Sequence, residues 1–370
     1  MKIIHIGQIT GGLGIYIRNV IEYSDRSIEY VVISGKNDNT GVITRDGVPV
    51  KSYLTSLQRN INPAADVKAL VDVIKIVRKE HPDVLHCHSA KGGAIGRTAG
   101  WITHTPTLYT PHAFSFLCSP NKKKRWIYTA VERITRFGAW LLACGESERQ
   151  LGMDQVRYRE EKSLCWHNCV ASQIESGNSI ANQEKYIVTI GRPSYQKNPI
   201  FLVDVISKVH RVHPELKFYL LGVGFYSPEL EKMKSRITEC GLEDVIVLKD
   251  WVDHEQTMDF VRGAYLYLTV ARYEGLPLSV VEAMSMGKCI VASKVTGNID
   301  CVRNGYNGLL QGLDEEKFAE ALIGLLDDPG RIEEYGRNSR RMYEDSFDIR
   351  KRIGSLEAIY YKVSPVKEIV

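Results

Sequence analysis

Two periodicities share this chain. Short apolar runs with few polar interruptions, Lys2 to Ile6, Tyr30 to Gly35, DVLHCH, TLYT, AWLLA, Tyr186 to Ile190, FYLLGVGF, VIVLK, YLYLTV and KCIVAS, have the length and continuity of strands covered on both faces. Between them apolar residues recur every three or four positions, the spacing of a helix face. The clearest helix is Pro63 to Glu80, with Val67, Leu70, Val71, Ile74 and Val77 along one side; others are Glu255 to Arg262, Glu315 to Leu326, Arg331 to Tyr343 and Ile349 to Tyr361. VPVKSY adds a possible short strand, DVLHCHSAKGG reads as a strand running into a glycine loop, and AWLLA as the last strand of the first half. Strands alternating with helices in two halves predict an α/β protein with two doubly wound parallel sheets, whose ligands sit at the carboxyl ends of the strands.

Length agrees with two halves. At 370 residues the chain exceeds the ordinary single-domain range, and a polar Ser-, Asn- and Gln-rich stretch at 171–185 reads as a linker between domains at 1–170 and 186–345. A net charge of +4 is too small to argue for nucleic acid as a partner. The start, MKIIHIGQI, is too short an apolar run for a signal peptide, and no run reaches the ~18 residues of a membrane span, so a cytosolic location is expected. Eight cysteines lack paired spacing and read as reduced thiols; Cys165 and Cys169 have no matching second pair. His86 and His88 share one face of a strand, but no third ligand stands nearby in sequence, so no metal site is expected.

Candidate chemistry clusters at predicted strand ends. After the first strand, ITGGLGIYIRNVI is a glycine turn entering a helix, and Gly12 and Gly14 permit close approach of the backbone to a ligand. A dinucleotide fingerprint wants a third glycine at Ile17, which weakens a dehydrogenase reading. TLYT runs into a Pro-His corner, which places His112 at a sheet's ligand edge or leaves it as an ordinary half-buried histidine. In the second half Arg192 and Lys197 follow a strand at a separation that brings two cations to one edge, suited to a diphosphate.

The richest stretch is RYEGLPLSVVEAMSMGKCIVAS. Gly275 and Pro277 break regular structure before a helix opening near Ser279, and Ser279 with Glu282 fits a capping box. The N–H groups of Leu278, Ser279 and Val280 would then face a phosphate, with Glu274 near a sugar and Glu282 near a ribose; Glu282 capping its own helix is the alternative.

The segment EGLPLSVVEAM, its glutamates Glu274 and Glu282, and the continuation through NGYNGLL closely resemble the signature of glycosyltransferase family 4. That resemblance implies the GT-B fold, two Rossmann-like domains facing across a cleft, with the last helix, about 346–370, crossing back onto the first. It implies a retaining transferase whose first glutamate (Glu274) serves the donor sugar and whose second (Glu282) serves the ribose. Gly275, Leu276, Leu278 and Ser279 then line the donor site, Arg192 and Lys197 bind the diphosphate, backbone at Trp251 and Val252 holds the base, His112 touches the transferred sugar, and the loop of Gly12 and Gly14 lies near the donor phosphates. SLCWHNCV departs from the family pattern, with His167 and Cys169 in place of a proline and a glycine.

No acidic Asp-x-Asp pair is present, so catalysis without a metal or other cofactor is expected, with a nucleotide sugar as co-substrate and a UDP-sugar favoured. The TPHAFSF corner and the basic helix Lys122, Lys123, Lys124, Arg125 most resemble members that build bacterial surface polysaccharide on polyprenyl diphosphate at the inner face of the membrane. That helix suits an anionic lipid surface, or it is a solvated charge run on a core helix. Rival readings are a nucleotide-sugar epimerase and a non-catalytic GT-B partner subunit.

Overall fold

The computed structural model describes residues 1–36, 38, 41–58, 62–173, 185–224, 227–250 and 253–364. It divides into two compact units, Met1–Ala171 with Ile349–Val370, and Ser172–Asp348. Most of the stretch expected to be a linker lies outside the described residues.

In unit 1 seven strands, β1 (Lys2–Ile6), β2 (Glu29–Gly35), β3 (Lys51–Thr55), β4 (Val84–His88), β5 (Thr107–Thr110), β6 (Trp140–Ala143) and β7 (Ser163–Cys165), form one parallel sheet in the order β3-β2-β1-β4-β5-β6-β7. AWLLA is therefore not its last strand; β7 is the edge. The order reverses between β1 and β4, the switch point at which open α/β sheets leave a crevice. Helices α1 (Gly12–Tyr23), α2 (Pro63–Glu80), α3 (Ser89–Thr103), α4 (Lys122–Ile134) and α5 (Glu146–Leu151) connect these strands.

Two expectations fail here. The buried side of α2 is Ala69, Val73 and Val77, while Val67 and Val71 are exposed. Val77 of the predicted face is buried and Leu70 and Ile74 pack partly buried against the core, but the small Ala69, with Val73, centres the packed face and turns Val67 and Val71 to solvent. The glycines after DVLHCH, expected to form a loop, instead lie inside α3, where Gly92, Gly93, Gly96 and Gly100 are all buried. They let the helix rest flush on the sheet: a Cβ at Gly93 would lie 2.1 Å from Tyr109 Cε2, and one at Gly96 would lie 2.3 Å from Cys87 Sγ. Tyr109 is fully buried with its hydroxyl on Glu132, so it has no room to yield. Gly93→Ala is accordingly expected to destabilise unit 1 by about 3 kcal/mol, the upper range of overpacking; a urea midpoint within experimental error of the wild type would refute this.

Unit 2 holds six parallel strands, β8 (Tyr186–Ile190), β9 (Lys217–Leu221), β10 (Ile246–Lys249), β11 (Leu266–Thr269), β12 (Ile290–Ser293) and β13 (Gly308–Gln311), in the order β10-β9-β8-β11-β12-β13. Its switch point is between β8 and β11. Helices α6 (Pro199–His210), α7 (Leu230–Glu239), α8 (His254–Gly263), α9 (Leu278–Ser285), α10 (Asn298–Cys301), α11 (Glu315–Leu326) and α12 (Pro329–Ser346) complete it. A core of aliphatic residues from α6, α7, α11 and the sheet, with Phe218 and Phe318, fixes the strand ends. The last helix, α13 (Ile349–Val363), belongs to unit 1, where it packs on α1 and Tyr360 meets His86.

Candidate active site

In unit 2 the loops after β8 and β11 bring the predicted charges together. Lys197 Nζ lies 2.7 Å from Glu274 Oε1, and Gln196 Nε2 donates to Glu274 Oε2 at 2.9 Å. Gln196 is tied to the same loop twice more: its side chain reaches Tyr273 O at 3.3 Å, and its carbonyl accepts from Arg272 N at 2.8 Å. Glu274 is 6% exposed, so a largely desolvated carboxylate is held rigidly by one cation and one amide. Arg192 follows Gly191, and the stem of Lys197 lies so close to Gly191 that a Cβ there would be 2.8 Å from Lys197 Cδ. Arg192 and Lys197 thus belong to one turn at the carboxyl end of β8.

The capping box does not form. Pro277, extended at φ −72 and ψ 113, is the N-cap of α9, so Ser279 already has helical backbone and cannot cap. Its Oγ pairs with Tyr267 OH at 2.8 Å. Val280 N–H and Val281 N–H both go to Pro277 O, at 3.1 and 3.2 Å, so Val280 is lost as a ligand donor and the first turn offers Leu278 and Ser279. Glu282, 3% exposed, turns to His254 Nε2 at 2.7 Å. That hydrogen bond raises the His254 pKa against the opposing effect of burial. Gly275 and Leu276 are buried beside Glu274. Val252 and Trp251, expected at the base, lie outside the described residues.

Sequence reasoning missed Gln196, His254 and Gly297. Gly297 has φ 85, and a Cβ there would fall 2.8 Å from Glu274 Cβ and 2.7 Å from Gly275 O, so only glycine fits behind the glutamate. Its one signal was the turn dipeptide Gly297-Asn298 after KCIVAS.

In unit 1, Gly12 and Gly14 lie in the first turn of α1, and the left-handed residue of that loop is Gly11, at φ 54. Asp38 Oδ2 accepts from Ile9 N at 3.1 Å and from Gly35 N at 2.8 Å, which holds the loop against β2. His112 follows Pro111 at φ 50, with Ala113 at φ 77, two consecutive left-handed non-glycine residues of the kind that the surrounding structure must enforce. Its ring packs edge-on against Tyr16, and both nitrogens are engaged, Nε2 with His88 Nδ1 at 3.1 Å and Nδ1 with Cys144 Sγ at 3.4 Å. Burial lowers the His112 pKa to about 3, so the ring is neutral at physiological pH.

Two Rossmann-like units of this topology are the architecture of GT-B glycosyltransferases. HepE of Anabaena, in a structure titled as a complex with UDP and glucose, superposes with a TM-score of 0.79 at 19% identity over 98% of this chain and 99% of that one. The family model for glycosyltransferase family 4 matches residues 10–173 and that for glycosyl transferases group 1 matches residues 171–342. The chain belongs to glycosyltransferase family 4 and is a transferase. An Escherichia coli relative named UDP-Gal:alpha-D-GlcNAc-diphosphoundecaprenol alpha-1,3-galactosyltransferase is 23% identical over 90% of this chain and 91% of its own length. The capsular polysaccharide biosynthesis glycosyltransferase CapM of Staphylococcus aureus is 23% identical over 97% of this chain and 96% of its own.

Proposed function

We propose that this enzyme transfers a hexose or N-acetylhexosamine from a UDP-sugar to a hydroxyl of a polyprenyl-diphosphate-linked saccharide, with retention at the anomeric carbon, in the assembly of a bacterial surface polysaccharide. The observation that carries the reading is the Lys197–Glu274–Gln196 constellation at the switch point of the second sheet. A carboxylate oriented from two sides accepts hydrogen bonds from sugar hydroxyls in one geometry. Lys197, with two N–H groups beyond the one given to Glu274, joins Arg192 and the first turn of α9 in taking up the charge of the departing diphosphate. His112 contacts the transferred sugar. The names of the Escherichia coli and Anabaena proteins support a uridine nucleotide and a lipid-linked acceptor.

Protein charge in place of a divalent ion means that turnover persists in excess EDTA; its abolition there would overturn that part. The reading as a whole is tested by binding and slow hydrolysis across UDP-, GDP- and ADP-sugars. One selectively bound donor supports it, and no bound nucleotide sugar favours the partner-subunit alternative.

The lipid-linked acceptor draws support from α4. The four cations Lys122 to Arg125 open this helix, and its large apolar side chains face outward: Trp126 is 72% exposed and Ile134 69%. Trp101 and Phe137, stacked at 5.1 Å, extend the patch. Against the core-helix alternative, the fully buried residue of α4 is the charged Glu132, paired with Arg97 at 2.8 Å, with Tyr128 packed partly buried against the core beside it. No helix among the described residues is long and apolar enough to cross a membrane. A basic cluster beside exposed aromatic and aliphatic side chains suits the inner, anionic face of a bilayer. Replacing Lys122, Lys123, Lys124 and Arg125 together by glutamine is expected to weaken binding to phosphatidylglycerol vesicles by at least about a hundredfold; equal binding would remove the membrane from the proposal.

A further inference from the structure

Behind His112 stands a row of buried imidazoles with no assigned role. Parallel pairing sets His5 of β1 beside His86 of β4, and His88, two residues on, shares their face of the sheet. The row runs His5 Nδ1 to His88 Nε2 at 2.8 Å, His88 Nδ1 to His112 Nε2 at 3.1 Å, and His112 Nδ1 to Cys144 Sγ at 3.4 Å. His86 stands beside the row with its nitrogens taken by Tyr360 OH and Thr110 Oγ1, both at 2.9 Å.

A neutral imidazole has one N–H and one lone pair, so the row has two possible polarities. In the first, the Cys144 thiol donates to His112, each Nε2–H donates onward, and His5 Nε2–H ends in the interior without an acceptor. In the second, His5 Nδ1–H donates to His88, His88 Nδ1–H donates to His112, and His112 Nδ1–H donates to Cys144 Sγ. Two observations select the second. His5 Nε2 has no partner, and a buried bare lone pair is more readily tolerated than a buried orphan N–H. The Cys144 thiol also lies in hydrogen-bonding contact with the Glu148 carboxylate, which accepts and does not donate, so the S–H points to Glu148 and the sulfur lone pairs accept from the Asn168 side chain and from His112. Glu148 is fully buried and also accepts from Ala113 N at 2.7 Å and Cys144 N at 2.8 Å, which clamps the left-handed His112–Ala113 corner.

We propose that His88, backed by His5 and opposed by Glu148 through Cys144, is a positioning residue: it fixes His112 as the Nδ1–H tautomer and so presents an N–H to an oxygen of the transferred sugar. Sulfur is a weak acceptor and the 3.4 Å contact is the longest link in the row, so this is the hydrogen bond that a sugar oxygen displaces. The sugar contact rests on the function proposed above; the tautomer does not. His5, His86 and His88 also have nitrogens within 4.8 Å of one another, as a trihistidine metal site needs, but the hydroxyls on both His86 nitrogens and the direct His5–His88 bond already use the atoms that a metal would bind.

The test is a long-range proton–nitrogen correlation spectrum of protein carrying nitrogen-15 in its histidine rings, with signals assigned by single-histidine variants. Nδ1–H tautomers at His5, His88 and His112 are expected. His88→Leu should release the His112 tautomer and lower kcat by about ten- to a hundredfold with donor KM little changed. His88→Asn, whose amide nitrogen replaces Nδ1 as donor to His112, should restore both readouts. An Nε2–H tautomer at His112 in the wild type, an unchanged His112 signal in His88→Leu, or one bound equivalent of transition metal in the purified protein would each overturn the proposal. Should the wild type transfer no sugar at all, the function proposed above falls and takes the sugar contact with it, while the tautomer at His112 still decides the row; should His88→Leu not fold, the wild-type and His88→Asn spectra decide it.

Discussion

Glu274→Gln is expected to slow sugar transfer by about two to three orders of magnitude, the usual effect of removing one preorganised polar group from a reaction centre, while nucleotide affinity changes little. Glutamine keeps the shape and the contact with Gln196 but removes the charge that positions the Lys197 ammonium at 2.7 Å. Without that anchor Lys197 no longer holds the one position that meets the charge developing on the leaving diphosphate, so the loss falls on the transition state and ground-state binding is little changed. Lys197→Ala should cost a similar factor, and the double variant little more than either single one, because the two residues act as a unit. Gly297→Ala reaches the same centre from behind: its Cβ must displace the Glu274 backbone, so it should lower kcat with the charges intact. Single-turnover transfer measured on the four variants and the wild type checks the set, and a Glu274→Gln rate within threefold of wild type would remove Glu274 from the chemistry.

What could be read from the chain divides along a physical line. Strand and helix positions were legible because a doubly wound sheet needs continuous apolar strands, and Pro63–Glu80, Glu315–Leu326 and Tyr186–Ile190 have the predicted bounds. Which side of a helix is buried was less so: on α2 the small Ala69 marks the packed face, and apolar counting weights it least. Glycine has two uses, and the sequence does not separate them; those of α3 serve close packing, where a loop was expected. In the site, residues close in sequence to a motif were found, whereas partners set by register were not. His5 completes the imidazole row only because β1 lies beside β4, and His254 reaches Glu282 from 28 positions away. The capping box was a correct pattern in the wrong frame, since Pro277 starts the helix two residues earlier.

That same row makes unit 1 sensitive to acid. His5, His86 and His88 are fully buried, and burial lowers all three pKa values, that of His5 to about 3. Unfolded, each titrates near 6.5. Between those values the unfolded chain binds more protons than the folded one, so stability is complete above about pH 6.5 and is lost as pH falls below it. All three act in the same direction, so acid destabilises this unit more than any one of them would alone. His254 in unit 2 has the opposite sign: Glu282 raises its pKa, so its contribution is present in acid and fades as pH rises through that raised value. Amide hydrogen exchange, corrected for intrinsic rates, should therefore show β1 and β4 losing protection from pH 7 to pH 5 while β8 and β11 hold theirs. His86→Gln retains hydrogen-bonding groups for Tyr360 and Thr110 and cannot be protonated, so it should move the acid midpoint of unit 1 downward. A protection profile in β1 and β4 that is flat between pH 7 and 5 would show that the buried imidazoles do not control this unit.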